Sequence, residues 1–455
     1  MSPAANPKTL LLFNFDWDAI AFGQLSQQWP QLHAGFDLFS FPSNTRLAWF
    51  DMQRFSALAA LKARALGARG VVSNHEQFGA LCAALVAEKN GWPGTPVEAI
   101  LACQHKLYAR EVLQRVAPEA NVPFQRLEAG GDGQIPEGLS YPAFVKPVKA
   151  AFSVLARQVN SRRELVAHTR FDPWERWILR HLVAPFEKIR RERLPEAGTA
   201  HSLMLEQPRR GRQYCLDGYV FAGSYRRLGV VDSIMYPGTS AFMRFDYPGH
   251  LPEAVKQQAD DIARRFLGAV GFSHGMFNME FIHDEESGQV KVIEFNPRLA
   301  AQFSDLYQRV EGLNLHAMAL ALSHAIDPAS VPQEAPSANC ASSFVYRSFD
   351  PAKSVPMPGK TRAQAFHAAF TDGLLFEFPK LPRQVRRDFK WLGNYRYGIV
   401  HLGGENPEDL RLRCERASAL LGWPAPYAQN AAESAAYDSR HPAWRMATAS
   451  EKATG

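Results

Sequence analysis

Glu280, Glu294, Asn296 and Arg298 are the residues of this 455-residue chain whose types and spacing could do chemistry together. Met276-Phe277-Asn278-Met279-Glu280-Phe281-Ile282 alternates, with Phe277, Met279 and Phe281 on one face and Asn278 and Glu280 on the other. A turn-rich stretch from His283 to Gln289 follows, and Val290 to Asn296 then places Glu294 and Asn296 on one face. A hairpin centred on Ser287 sets Glu280 opposite Glu294. Like charges opposed across strands are destabilising. A cation must offset them, or one carboxyl must stay protonated. Two carboxylates and an amide oxygen are the ligands that magnesium or manganese prefers, and magnesium keeps positions open for phosphate oxygens. The fork of Arg298 suits a phosphoryl group or a carboxylate. The bland alternative is an exposed hairpin face whose acids meet only solvent.

Two lysines are candidates for the anion side of that chemistry. Lys146 sits inside the apolar run Phe144-Val145-Lys146-Pro147-Val148, and Pro147 predicts an edge or an irregular strand end. Lys106 falls on a helix expected over 97–116. For each lysine alone, a snorkelling surface residue is the competing reading.

The elements that must position these groups read as α/β. A short apolar run at 9–15 suits a buried parallel strand, a helix follows from Asp51 to Leu66, a strand starts at Gly70, and Phe78 to Ala87 is a further helix. Alternation of this kind over the first hundred or so residues predicts an open α/β sheet. Further strands are expected at 122–128, 143–148, 202–206 and 214–221, and helices at 165–193, 252–268 and 314–325. Val231 to Ser240 reads as a turn-rich loop, which we expect to line a substrate pocket with Arg244, Gln302 and Ser304; an ordinary surface loop is the equal alternative. A small appended unit follows, with strands near 341–347 and 396–402 and a helix from Pro407 to Leu421, then an Ala-, Ser- and Pro-rich tail.

Composition narrows the class. Hydrophobic residues make up 46% and charged residues 21%, as in an ordinary globular enzyme long enough for about three domains. The net charge of +6 is spread out, without the sustained basic face that nucleic acid requires. Five cysteines, an odd number with no CxxC spacing, argue against zinc ribbons and disulfide frameworks and fit a reducing compartment. The first apolar run is short and ends in acids, unlike a signal peptide, and no run of about 18 apolar residues could span a membrane. The expected location is the cytoplasm, with no nucleic-acid or membrane partner.

Taken in order, the motifs resemble the ATP-grasp superfamily. Val292-Ile293-Glu294-Phe295-Asn296-Pro297-Arg298 is similar to its metal-binding Glu-x-Asn-Pro-Arg strand, and the run around Glu280 to the strand that precedes it. Phe144 to Val148 resembles the strand whose lysine meets nucleotide phosphates, which implies that Lys146 faces a phosphate and not a carboxylate partner, and Gly94 through Lys106 resembles the segment with the earlier lysine. Leu205-Glu206-Gln207-Pro208 resembles the linker whose backbone and acid hold adenine. The likeness covers about residues 90–325.

The resemblance implies a two-lobed ATP-grasp fold. It places an α/β domain at 1–103, a first lobe at 104–200, a second lobe with the metal site at 201–335, a small α+β unit at 336–425 and a tail at 426–455. It implies ATP held by Lys106, Lys146, Glu206 and Gln207, magnesium on Glu280, Glu294 and Asn296, and Arg298, Lys146 and Asn296 at the chemistry. Two departures stand out. The lid after Lys146 reads Lys149-Ala150-Ala151-Phe152-Ser153 without glycine, so Lys149 and Ser153 are expected to replace backbone contacts to phosphate. Gln213, expected among the nucleotide-binding residues, stands where the family often has a Glu near the acceptor site. The biotin carboxylase subgroup continues differently after Asn-Pro-Arg, and no Met-Lys-Met biotin site is present. The chain looks more like the carboxylate–amine ligases, acting on a small carboxylate and an amine through an acyl phosphate, with room for a homodimer. The alternatives are carboxylation of a small acceptor through carboxyphosphate, and an ATP-binding sensor on a retired fold.

Overall fold

A computed structural model describes residues 6–36, 49–127, 139–150, 155–350 and 355–428. Ser153, the glycine turn at 130–133 and the tail beyond residue 428 lie outside the described residues. The chain divides into two compact units that are interleaved along the sequence. The first comprises Met1–Val230, Leu251–Ala301 and Leu315–Pro332; the second comprises Val231–His250, Gln302–Asn314 and Gln333–Gly455. No helix among the described residues is long and apolar enough to cross a membrane.

The first unit opens with a three-stranded parallel sheet, in which Lys8–Leu12 lies between Gln31–Ala34 and Ala68–Val72. The buried run Leu10-Leu11-Leu12 makes the centre of this sheet. Helix Met52–Ala65 starts where expected, because the Asp51 side chain accepts the Arg54 N–H and caps it.

The long helix expected at 97–116 is broken. Val97–Gln104 ends, and Lys106–Val116 begins, at His105, whose ring accepts the Tyr108 N–H and caps the second helix. Lys106 therefore heads a helix, and its backbone N–H donates to the Val148 carbonyl at 3.1 Å. The helical stretch 165–193 is likewise two helices, Arg162–Thr169 and Pro173–Arg193. Asp172 caps the second, Glu175 returns the bond, and Pro173 occupies the first turn.

An antiparallel sheet follows in the order Phe124–Leu127, Leu203–Glu206, Ala143–Pro147, Arg157–Val159. The lysine strand Ala143–Pro147 is thus internal, and Pro147 is its last residue, so the proline marks a strand end and not an edge.

The carboxylate hairpin is Gly275–Asp284 with Gln289–Asn296, and its first strand also pairs with Arg212–Phe221. Phe277, Met279, Phe281, Val292 and Phe295 turn into a core shared with the helices Lys106–Val116 and Glu253–Ala269. That buried face fixes which side the acids take, since a one-residue slip would turn every side chain over.

In the second unit, Phe242–Tyr247 pairs with the end of Ser224–Met235 and with Cys340–Ser348. The latter pairs with Tyr395–Gly404, which pairs with Leu374–Glu377. Helix Pro407–Leu421 covers this sheet through Leu410, Cys414, Ala417 and Leu421. Residues 231–235 are therefore strand, where a loop was expected; the turn is confined to Tyr236–Ala241, closed by the Tyr236 N–H on the Ala241 carbonyl at 2.8 Å.

Candidate active site

The hairpin brings Glu280 opposite Glu294 and Asn278 opposite Asn296, which is the register centred on Ser287. Lys106 supplies the offsetting positive charge, with Nζ 2.8 Å from Glu294 Oε2. Burial pushes the Glu294 carboxyl up, but Lys106 and Lys146 outweigh it and hold the group below the usual range. Among the described residues Glu280 is met by hydrogen bonds: Gln213 Nε2 donates to Oε2 at 2.9 Å and Asn296 Nδ2 to Oε1 at 3.2 Å. Burial and the facing Glu294 push Glu280 up to about 8. Gln213 thus gives a hydrogen bond where a Glu would have added a third carboxylate to the cluster.

These residues fit a hard divalent cation. Among the described residues no three His, Cys, Asp or Glu side chains converge as a metal site by themselves, so the set depends on the amide. Asn296 turns its nitrogen toward Glu280 and, at 3.2 Å, toward Asn278 Oδ1. Turning the amide over would offer its oxygen beside the two carboxylates. Asn278 in turn donates to Asp217 Oδ1 at 2.9 Å, which anchors the row from the neighbouring strand.

Arg298 lies just beyond, and its Nη2 is 2.9 Å from Glu76 Oε2. Glu76 belongs to the loop leaving the C-terminal end of the parallel strand Ala68–Val72. Its backbone carbonyl accepts from Gln104 Nε2 at 2.8 Å and lies 3.4 Å from Lys149 Nζ. Lys149 also donates to Gln104 Oε1 at 3.0 Å. Burial, opposed by Glu76, brings its ammonium down to about 7.

Lys146 corrects one expectation. Its Nζ is 2.9 Å from Glu206 Oε1, so it does face a carboxylate. Glu206 is fully enclosed and also takes Arg110 Nε at 2.7 Å and Arg209 Nη2 at 2.6 Å. Against its burial, these cations hold the Glu206 carboxyl far below its ordinary range. Burial, only partly offset by Glu206, lowers Lys146 to about 7. In this arrangement Glu206 presents no oxygen to an adenine, and the exposed Gln207 has given its N–H to the Pro123 carbonyl at 3.0 Å.

Arg244, Gln302 and Ser304 do not converge. Arg244 pairs across the sheet with Phe344, whereas Ser343 pairs with Phe245, so the two side chains leave opposite faces. Arg244 Nε bonds Asp246 at 2.9 Å, and Gln302 Nε2 bonds Ser343 Oγ at 2.9 Å. Ser304 starts the helix Ser304–Glu311.

The sequence reading missed Glu76, Arg110 and Arg209. Arg110 is one helical turn beyond Lys106, a spacing that pointed to it, whereas Arg209 follows the end of the strand Leu203–Glu206 and carried no such signal. Glu76 follows a parallel strand, at the sheet end where open α/β sheets take ligands.

No family model matches the chain, and no curated protein matches it by sequence. Solved structures do match. An L-amino acid ligase from Bacillus licheniformis is 15% identical, with 92% of this chain and 98% of that one covered at a TM-score of 0.66. An N5-carboxyaminoimidazole ribonucleotide synthetase from Thermus thermophilus is 17% identical over 91% and 99%, at 0.59. A biotin carboxylase from Campylobacter jejuni is 14% identical over 91% and 92%, at 0.57. The chain shares the ATP-grasp fold of these ligases and carboxylases over nine-tenths of its length.

Proposed function

We propose that the chain is an ATP-dependent ligase that activates a small carboxylate as an acyl phosphate and joins it to an amine, releasing ADP and phosphate. The observation that carries this reading is the cross-strand pairing of Glu280 with Glu294 beside Asn296, with Lys106 on Glu294 and Arg298 two residues on. Glu280, Glu294 and Asn296 would hold magnesium or manganese, which when bound neutralises phosphate oxygens. Lys106 and Lys146 would meet the nucleotide phosphates, and Arg298, released from Glu76, would steady the carboxylate and the transferring phosphoryl group.

We assign no protein nucleophile: Cys215, opposite Glu280 on the neighbouring strand, is a buried thiol, as are Cys82, Cys103 and Cys414. The substrate carboxylate therefore attacks the γ-phosphorus itself, and the bond to the β-phosphate oxygen breaks to release ADP. The amine then attacks the activated carbonyl. Phosphate leaves with one oxygen from the substrate, and the new amide nitrogen gives up a proton.

The fold likeness supports ligation in general, and the first of the matched structures is an L-amino acid ligase. The test is a screen of amino acids and small acids for phosphate release, repeated with an oxygen-labelled carboxylate. Label should appear in the released phosphate. AMP as the nucleotide product, or unlabelled phosphate during confirmed amide formation, refutes the mechanism. Strict dependence on bicarbonate would instead point to carboxylation.

A further inference from the structure

We propose that Arg209 is a further nucleotide-binding residue, and that the Glu206 carboxylate holds Arg209 and Lys146 in place until a phosphate group of the nucleotide takes them over. The inference deepens the reading above and rests on it for the identity of the anion.

Its first support is an imbalance. Arg110, Lys146 and Arg209 all close on the one carboxylate of Glu206, within 2.9 Å in each case. The Glu206 side chain is 0% exposed, and those of the three cations are 2%, 4% and 6% exposed. The next acid, Glu294, is engaged by Lys106. Buried cations in excess of their counter-anions are costly where water is excluded, and the cost falls when a further anion enters.

The second support shows which cation is left waiting. Arg110 is spent: Nε goes to Glu206, Nη1 to Asn121 Oδ1 at 3.3 Å and Nη2 to the Ile293 carbonyl at 2.9 Å. Arg209 is not. Among the described residues its guanidinium makes one hydrogen bond, through Nη2, and its Nε is buried without an acceptor. Buried donors are rarely left so, and each that is calls for a ligand, a water or a reason. Among the described residues Lys146 has, besides Glu206, the Ile293 carbonyl at 3.4 Å. Arg209 and Lys146 thus share one carboxylate and both keep donors in reserve. One phosphate group can reach both, and the planar fork of Arg209 suits two of its oxygens. Without nucleotide the cluster stays together because Glu206 stands in for that phosphate.

The competing account is a purely structural strut that ties the Lys106–Val116 helix to the strands around it. Calorimetry with ADP and with adenosine, both without metal, separates the two on the wild type, Arg209→Ala, Arg209→Lys and Glu206→Gln. Arg209→Ala should weaken ADP by about ten- to a hundredfold and adenosine by less than about twofold. Arg209→Lys keeps the charge without the fork and should fall between Arg209→Ala and the wild type. Glu206→Gln removes the competing anion and should bind ADP more tightly than the wild type. Unchanged ADP affinity in folded Arg209→Ala or Arg209→Lys overturns the proposal, as does an equal loss for adenosine and ADP. A wild type that binds no ADP overturns the ligase reading, and this inference with it.

Discussion

The two carboxylate clusters of the first unit are unbalanced in opposite senses. Around Glu206 three cations meet one acid, and the acid is held ionised. On the hairpin two acids face each other over one lysine; Glu294 takes the lysine, and Glu280 is left with amide donors and pushed up to about 8 by burial and by Glu294. The Glu206 cluster is fully enclosed and the hairpin acids are half-buried, with Glu294 20% exposed, so water disperses neither imbalance completely. One region lacks an anion and the other lacks a cation. A metal–nucleotide complex carries both signs in one ligand, and that is the chemistry we propose for this pair of clusters.

The comparison can be broken first at Glu206. Glu206→Ala strands three buried cations and should destabilise the protein by about 3–5 kcal/mol, read from denaturant unfolding. A loss below about 1 kcal/mol would mean that the cations relax into solvent and that the cluster is not the closed charge trap described above.

Glu294→Gln attacks the other region. It removes one of the two opposed acids but also deprives Lys106 of its partner, so little net change in stability is expected. Turnover should fall by at least about a hundredfold, since charge neutralisation at the phosphates is most of what phosphoryl transfer requires. Near-normal phosphate release at ordinary magnesium concentrations would remove the metal role from this hairpin.

Lys146→Ala sharpens the contrast between an ion-pair partner and a ligand contact. It should weaken ATP binding by about 1.5–3 kcal/mol by calorimetry, while Arg110 and Arg209 remain to hold Glu206. Unchanged affinity would confine Lys146 to its salt bridge.

The smallest expected effect concerns pH. The raised Glu280 carboxyl makes its protonated form the stable one in the folded, metal-free chain. Stability from this group is fully present below its ordinary value of 4.5 and is lost as pH rises toward about 8. Glu280→Gln should flatten this decline, raising the thermal midpoint by about a few degrees at pH 8 in a chelator and by little at pH 4.5. Parallel curves for the two proteins would show that Glu280 ionises freely.

The hairpin was legible because its information is local. The alternation of Phe277, Met279 and Phe281 with Asn278 and Glu280 fixes the faces; what the sequence did not show is the register shift between Glu280 and Phe281, by which Phe281 meets Val292 while Glu280 meets Glu294. The parallel strand near the start and the helix beginning near Asp51 were legible for the same reason. The break at His105 was not, because an apolar spacing that continues through it cannot show that a ring will cap the next turn. Phe242–Tyr247 was missed as a strand because Arg244 and Asp246 put two charges on one of its faces, where each is buried against the other. The surroundings of Lys146 were hidden more deeply, since Arg110 and the Glu206–Arg209 segment are distant from it in sequence and meet it only in three dimensions. Ser153 lies outside the described residues.

The interleaving of the two units limits how this chain can be cut or recombined. Strand Phe242–Tyr247 is supplied by a segment that leaves the first unit and returns to it, yet its partner Cys340–Ser348 comes from the far end of the chain. A deletion starting near residue 336 would therefore not remove a module. It would leave Phe242–Tyr247 with a bare row of backbone donors and acceptors, a template for pairing with other chains. A C-terminal truncation series should yield aggregates and not a shorter enzyme, and exchange of this unit between relatives needs all three of its segments moved together.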